Sequence, residues 1–245
     1  MNTFKLNRKL VIMAMMLFLV CSIRFAFSTP VGPAATQVKN ETRSPAGATL
    51  INTSGGSITT LKLNATMQNL RWKAYVGNVT GSLVLDNAGN YSIYEWELSA
   101  VTGEVYATRS QDIVQWSTLD CSNETHMINE EIAIDHTDNP DDNITATFSA
   151  KDHDEFYVGT ELIEENSCFS LHTFVNDSNQ SQDFEEIIMY DGTTHDNGDI
   201  VYASLLEQDA MGFDNQPYDF QMIVPENGGS TWTGSTPYYF YVELT

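Results

Sequence analysis

The residues of this chain that could do chemistry are mostly oxygen ligands. Three acidic clusters, DHTDNPDDN at 135–143, KDHDE at 151–155 and DGTTHDNGD at 191–199, set carboxylate and amide oxygens at alternating positions. Loops of that kind bind hard cations such as calcium. None fits the full twelve-residue EF-hand pattern. The third is the strongest calcium candidate, because Asp191, Thr193, Asp196, Asn197 and Asp199 surround Gly192 and Gly198, whose backbone freedom permits a tight wrap. The histidines at 126, 136, 153, 172 and 195 are isolated, with neither His-X-His nor HEXXH spacing, so they are expected at the surface or in loops rather than on zinc. Thirty-three acids would offer a glycosidase-like carboxylate pair in almost any fold, so their number is uninformative. There is no GXSXG elbow and no glycine-rich phosphate loop, and the chain reads as a non-enzyme.

The densest pattern is Asn-X-Ser/Thr. It occurs at Asn40, Asn52, Asn64, Asn78, Asn90, Asn123, Asn143, Asn176 and Asn179. The frequencies of Ser and Thr give about three such triplets by chance, so nine point to N-glycosylation of a secreted chain. Asn64, Asn78 and Asn90 should then face solvent. Among the aromatics, Trp232 stands apart in the loop NGGSTWTGST, where a large apolar side chain is exposed unless it docks on something. It is the first choice for a binding residue.

Residues 1–28 read as a signal peptide, with basic residues, an apolar run from Leu10 to Val20 too short to span a bilayer, and small residues near Ser28. Cleavage would remove four cations and no acid, taking the formal charge from -22 to -26. Such a charge argues against nucleic-acid partners, whose phosphates need a basic face, and no membrane span follows. Two cysteines would remain, Cys121 and Cys168. In an oxidising compartment they are expected to pair, closing a loop that contributes about 3 to 4 kcal/mol.

These residues must be positioned by β structure. Residues 29–57 are rich in Thr, Ser, Gly, Pro and Ala and read as a flexible N-terminal arm, a possible donor strand. From Ile58 to Thr245 the chain gives short β-prone runs between Gly, Asn and Asp, among them ITTLKLNATM, GSLVLD, YSIYEWEL, FEEIIMYD, DIVYASLLE and YYFYVEL. The turn DNAGN at 86–90 predicts a hairpin. The segment SNETHMINEE predicts a short helix capped by Ser122. Ten to twelve strands with scarcely any helix predict an all-β antiparallel sandwich of jelly-roll or immunoglobulin-like type.

Through WKAYVGNVTGSLVLDNAGNYSIYEWEL, GEVYATR, YDFQMIVPENG and the terminal YYFYVEL, the sequence resembles secreted archaeal surface proteins of unassigned function. The resemblance implies an extracellular, cell-surface setting and transfers no catalytic residue. Together these readings predict a structural glycoprotein that self-associates into a filament or layer by strand exchange through its arm. The second expectation is a carbohydrate-binding or adhesive module, whose mark would be a planar row of exposed Trp and Tyr.

Overall fold

The computed structural model describes residues 29–44, 46–110, 114–137, 141–192, 200–229 and 232–245. The expected signal peptide lies outside them. The described elements begin with β1 (Trp72–Gly77), β2 (Ser82–Asp86), β3 (Ser92–Glu97), β4 (Gly103–Thr108) and β5 (Asp120–Cys121). Two helices follow, α1 (Glu124–Ala133) and α2 (Ile144–Thr147). The remaining strands are β6 (Phe156–Val158), β7 (Glu161–Ile163), β8 (Ser170–His172), β9 (Glu185–Tyr190), β10 (Ile200–Leu205), β11 (Ala210–Met211), β12 (Pro217–Tyr218), β13 (Phe220–Pro225) and β14 (Tyr239–Leu244). All the pairings of these strands are antiparallel, and the fold is all-β.

The centre is a six-stranded sheet in the order β14-β4-β10-β9, with β5 and β8 sharing the outer edge of β9. Successive side chains leave a strand on opposite faces. Accordingly Ile187 and Met189 of β9 join Val201, Ala203 and Tyr106 in one core, with Val114, Trp116 and Leu119 and with Phe156, Val158 and Ile163 of the β6–β7 hairpin. Ile188, Ile200, Tyr202, Val105 and Ala107 face the other way. There they meet Met222 and Val224 of β13, Met127 and Ile134 around α1, and Ile144 and Phe148 around α2. Both faces of the sheet are thus covered, by the β1–β13 ladder and the helices on one side and by a hairpin and loops on the other. This double burial explains why β9 and β10 read as nearly unbroken apolar runs.

The Cys121–Cys168 disulfide forms as expected. It ties β5 to the residue before Phe169 at the start of β8, and so locks together the two short strands that share one edge of β9. The helix begins one residue later than expected. Asn123, not Ser122, is the cap: its side-chain oxygen accepts from the His126 amide at 3.0 Å, and the His126 ring accepts from the Asn123 amide in return. At the other end Asp135 takes the left-handed conformation (φ 59°), and the His136 amide donates to the Glu131 carbonyl at 2.8 Å.

The expected strand at 58–67 does not form. No described residue between 32 and 71 belongs to a strand or bridge, so the arm runs well past residue 57. Alternating apolar residues favour a strand only when another strand supplies the hydrogen-bond partners, and this segment meets none among the described residues.

Candidate functional site

Three features of the described chain are built for contact rather than for the core. The first is the arm. Val31 exchanges two main-chain hydrogen bonds with Val242 of β14, at 2.9 and 2.8 Å, on the side of β14 turned away from β4. Beyond that rung the arm leaves the sheet. Val38, Leu50, Ile58, Leu61, Leu63, Met67 and Leu70 are all exposed, Leu63 to 80%. A monomer gains nothing from holding so many apolar side chains in water.

The second is the β2–β3 hairpin, formed across the predicted DNAGN turn, where Asn87 accepts from the amides of Gly89 and Tyr91. Among the described residues these two strands pair only with each other. Leu83 stands opposite Trp96 and Leu85 opposite Tyr94, which places four apolar side chains on one face; Val84 opposite Glu95 and Ser82 opposite Glu97 lie on the other. Every residue of both strands is exposed, Trp96 to 60%. An isolated two-stranded hairpin is marginal in water, and this one carries apolar side chains that nothing covers.

The third is charge. The arm from Thr29 to Leu70 contains Lys39, Arg43 and Lys62 against a single acid, Glu41, a formal charge of +2. Residues 71–245 hold the other 32 acids against Arg71, Lys73, Arg109 and Lys151, a charge of -28. Those four cations are engaged within the body. Lys73 pairs with Glu226, Arg109 is bidentate to Glu130, Arg71 donates to the Asp135 carbonyl and Lys151 to the Ser167 carbonyl. In the arm Lys39 pairs with Glu41, while Arg43 and Lys62 have no ion-pair partner among the described residues. The asymmetry was readable in the sequence by splitting the net charge by segment.

The asparagines of all nine sequons reach the surface. Eight are exposed, including Asn64, Asn78 and Asn90, and Asn143 is half-buried. Asn123 and Asn143 cap α1 and α2 through their side-chain oxygens; the side-chain amide nitrogen of Asn123, the atom a glycan would occupy, lies 3.2 Å from His126 Nε2. Of the proposed calcium ligands, Thr193, Asp196, Asn197 and Asp199 lie outside the described residues. Asp191 is buried at the end of β9, and its carbonyl accepts from the Thr118 hydroxyl at 2.8 Å. Among the described residues no group of three His, Cys, Asp or Glu side chains is arranged to hold a metal ion. Trp232 is 43% exposed, as expected.

His136 and His153 lie in loops, as expected, but are buried there: His136 bonds the Arg71 carbonyl at 2.8 Å, and His153 accepts from the Cys168 amide while bonding the Asp154 carbonyl. His126 and His172 depart from expectation, lying half-buried in α1 and β8. The His153 imidazole satisfies two main-chain groups in this way; the Arg71 carbonyl that His136 bonds also accepts from the Glu226 amide at 2.7 Å.

Buried carboxylates are numerous, and one pair stands opposite across two strands, Glu104 of β4 and Glu243 of β14. The Tyr106 hydroxyl lies 3.2 Å from Glu243 and 3.5 Å from Glu104, and the Gly159 amide donates to Glu243 at 2.9 Å. Burial first, and then the neighbouring Glu243 charge, raise the Glu104 carboxyl to about 9. Glu186, with burial as the cause, is also held well above the ordinary range. Both groups are buried. An open cavity of about 360 Å³ lies instead beneath the end of the arm, and Asp142 is the one carboxylate and Arg71 the one cation among its lining residues. A hydrolytic pair would need a second carboxylate there. Among the described residues no helix is long and apolar enough to cross a membrane. No family model matches the chain, and no curated protein or solved structure matches it.

Proposed function

We propose that this protein is an extracellular structural glycoprotein, a non-enzymatic subunit of a cell-surface filament or layer whose copies are joined by strand exchange through the N-terminal arm. One observation carries the reading: the described residues between 32 and 70 extend from the sheet with their aliphatic side chains exposed and without a strand partner among the described residues. Strand addition supplies that partner, the main-chain bonds giving affinity and the alternate side chains giving register. It also covers sheet edges that otherwise invite unspecific pairing. Nine surface sequons fit a polymer whose outer face is hydrated by glycans, and the resemblance to archaeal surface proteins supports the same setting. Calcium at 191–199 belongs to this reading as a bridge or brace for the acidic loops.

Removing residues 29–66 tests it. The arm adds little to the core, so the truncated protein should keep its thermal midpoint within a few degrees and lose assembly. Unchanged assembly without the arm would overturn the reading.

A second reading, a carbohydrate-binding module, has one observation in its favour: Tyr94 and Trp96 lie two residues apart on one exposed face. Their neighbours there are Leu83 and Leu85, with Ser92 alone as a polar group two residues before Tyr94, so the strand-exchange reading is preferred.

A further inference from the structure

Resting on the strand-exchange reading, we infer that the receptor for the arm is the β2–β3 hairpin of a second copy, with residues 58–64 adding as a third strand at the free edge of β3. The pattern of the two segments is the argument. In an extended Ile58-Thr59-Thr60-Leu61-Lys62-Leu63-Asn64, Leu61 and Leu63 leave one face while Thr60, Lys62 and Asn64 leave the other. In β3, Tyr94 and Trp96 leave one face and Glu95 and Glu97 the other. Placed side by side, Leu61 and Leu63 extend the apolar face made by Leu83, Leu85, Tyr94 and Trp96. Lys62, which has no ion-pair partner among the described residues, then stands beside Glu95 and Glu97. The glycan-bearing face of Asn64 stays with the charged side, toward solvent. The register is the one that puts aliphatic on aromatic and cation on carboxylate together; a slip of one residue would bury Lys62 against Trp96 and expose both leucines.

Charge favours the arm as the added strand: a segment of charge +2 approaching a body of charge -28 is drawn in, whereas two bodies repel. Residues 58–64 form no strand although the hairpin of their own chain is present, which favours a second copy as the source. The hairpin accepts it because both of its strands are free at their outer edges, and three strands with an apolar face are stable where two are marginal.

The test is charge reversal in the full secreted chain, read by sedimentation velocity across a concentration series and by electron microscopy. Lys62→Glu should raise the concentration needed for assembly about ten-fold, and Leu61→Ser with Leu63→Ser more than a hundred-fold. Adding Glu95→Lys to Lys62→Glu should restore assembly; adding Glu164→Lys, which corrects net charge at an exposed site elsewhere, should not. Equal rescue by Glu164→Lys, or assembly indifferent to Lys62 and Leu61, overturns the docking site while leaving strand exchange in place. A wild-type chain that never assembles overturns both. A monomer whose arm is protected by Trp96, with sedimentation independent of concentration, shows the arm closing on its own hairpin and overturns the second copy as partner.

Discussion

Replacing Glu104 by glutamine isolates one buried proton. Glu104 is 4% exposed and faces Glu243, with the Tyr106 hydroxyl between them and no Lys or Arg paired with either. Burial, followed by the Glu243 charge, lifts the Glu104 carboxyl from 4.5 to about 9, so the folded protein keeps this proton at neutral pH and the unfolded chain releases it. Between those two values the native state binds one proton more than the unfolded state. Unfolding free energy therefore falls as pH rises through the window, by about 1.4 kcal/mol per unit. From pH 4.5 to pH 7 this amounts to about 3 kcal/mol. Glutamine has nearly the same shape and cannot ionise, so it removes the slope. Urea denaturation of both proteins at pH 4.5, 7 and 8.5, at fixed salt, reads the difference and cancels the other acids. The variant should match the wild type within about 1 kcal/mol at pH 4.5 and exceed it by about 3 kcal/mol at pH 7, with a wider gap at pH 8.5. A difference that is constant across the three pH values, or that shrinks as pH rises, would refute the assignment of a native-state proton to Glu104.

Three further outcomes are expected. Cys121→Ser with Cys168→Ser should cost about 4 kcal/mol by chain-entropy reasoning for a separation of 47 residues, read as a lower denaturation midpoint that reductant no longer shifts. Glu130→Ala should destabilise by about 3 to 5 kcal/mol, because it strips Arg109 of a bidentate partner held at 2.5 and 2.7 Å in a largely buried site, and Arg109→Met with Glu130→Leu should recover much of that loss. The secreted protein should exceed its polypeptide mass, and Asn→Gln at Asn64, Asn78 or Asn90 should each remove one glycan's mass without changing the denaturation midpoint, since these side chains are exposed.

Much of the core was legible because it is written locally. FEEIIMYD and DIVYASLLE give β9 and β10 through short apolar runs, DNAGN gives the β2–β3 turn, and two remaining cysteines leave one intramolecular pairing. The departures share a cause, which is that a residue's surroundings come from distant chain. YSIYEWEL has the alternation of a half-buried strand, yet among the described residues it stays exposed along the whole of β3. ITTLKLNATM has strand chemistry without a partner. His136 and His153 are polar by type but are buried by the main-chain groups they satisfy. The Glu104–Glu243 pair exists only because β14, at the end of the chain, lies beside β4. Asn123 displaced Ser122 as the cap through one turn of helix, a shift too small for propensity to resolve.

The central claim is that this chain is a polymer subunit, and imaging the secreted protein by electron microscopy, with and without a calcium chelator, tests it most directly. The account predicts ordered filaments or lattices from the full chain, with disassembly on chelation if the acidic loops are bridged by metal. Dispersed monomers at every concentration would contradict it.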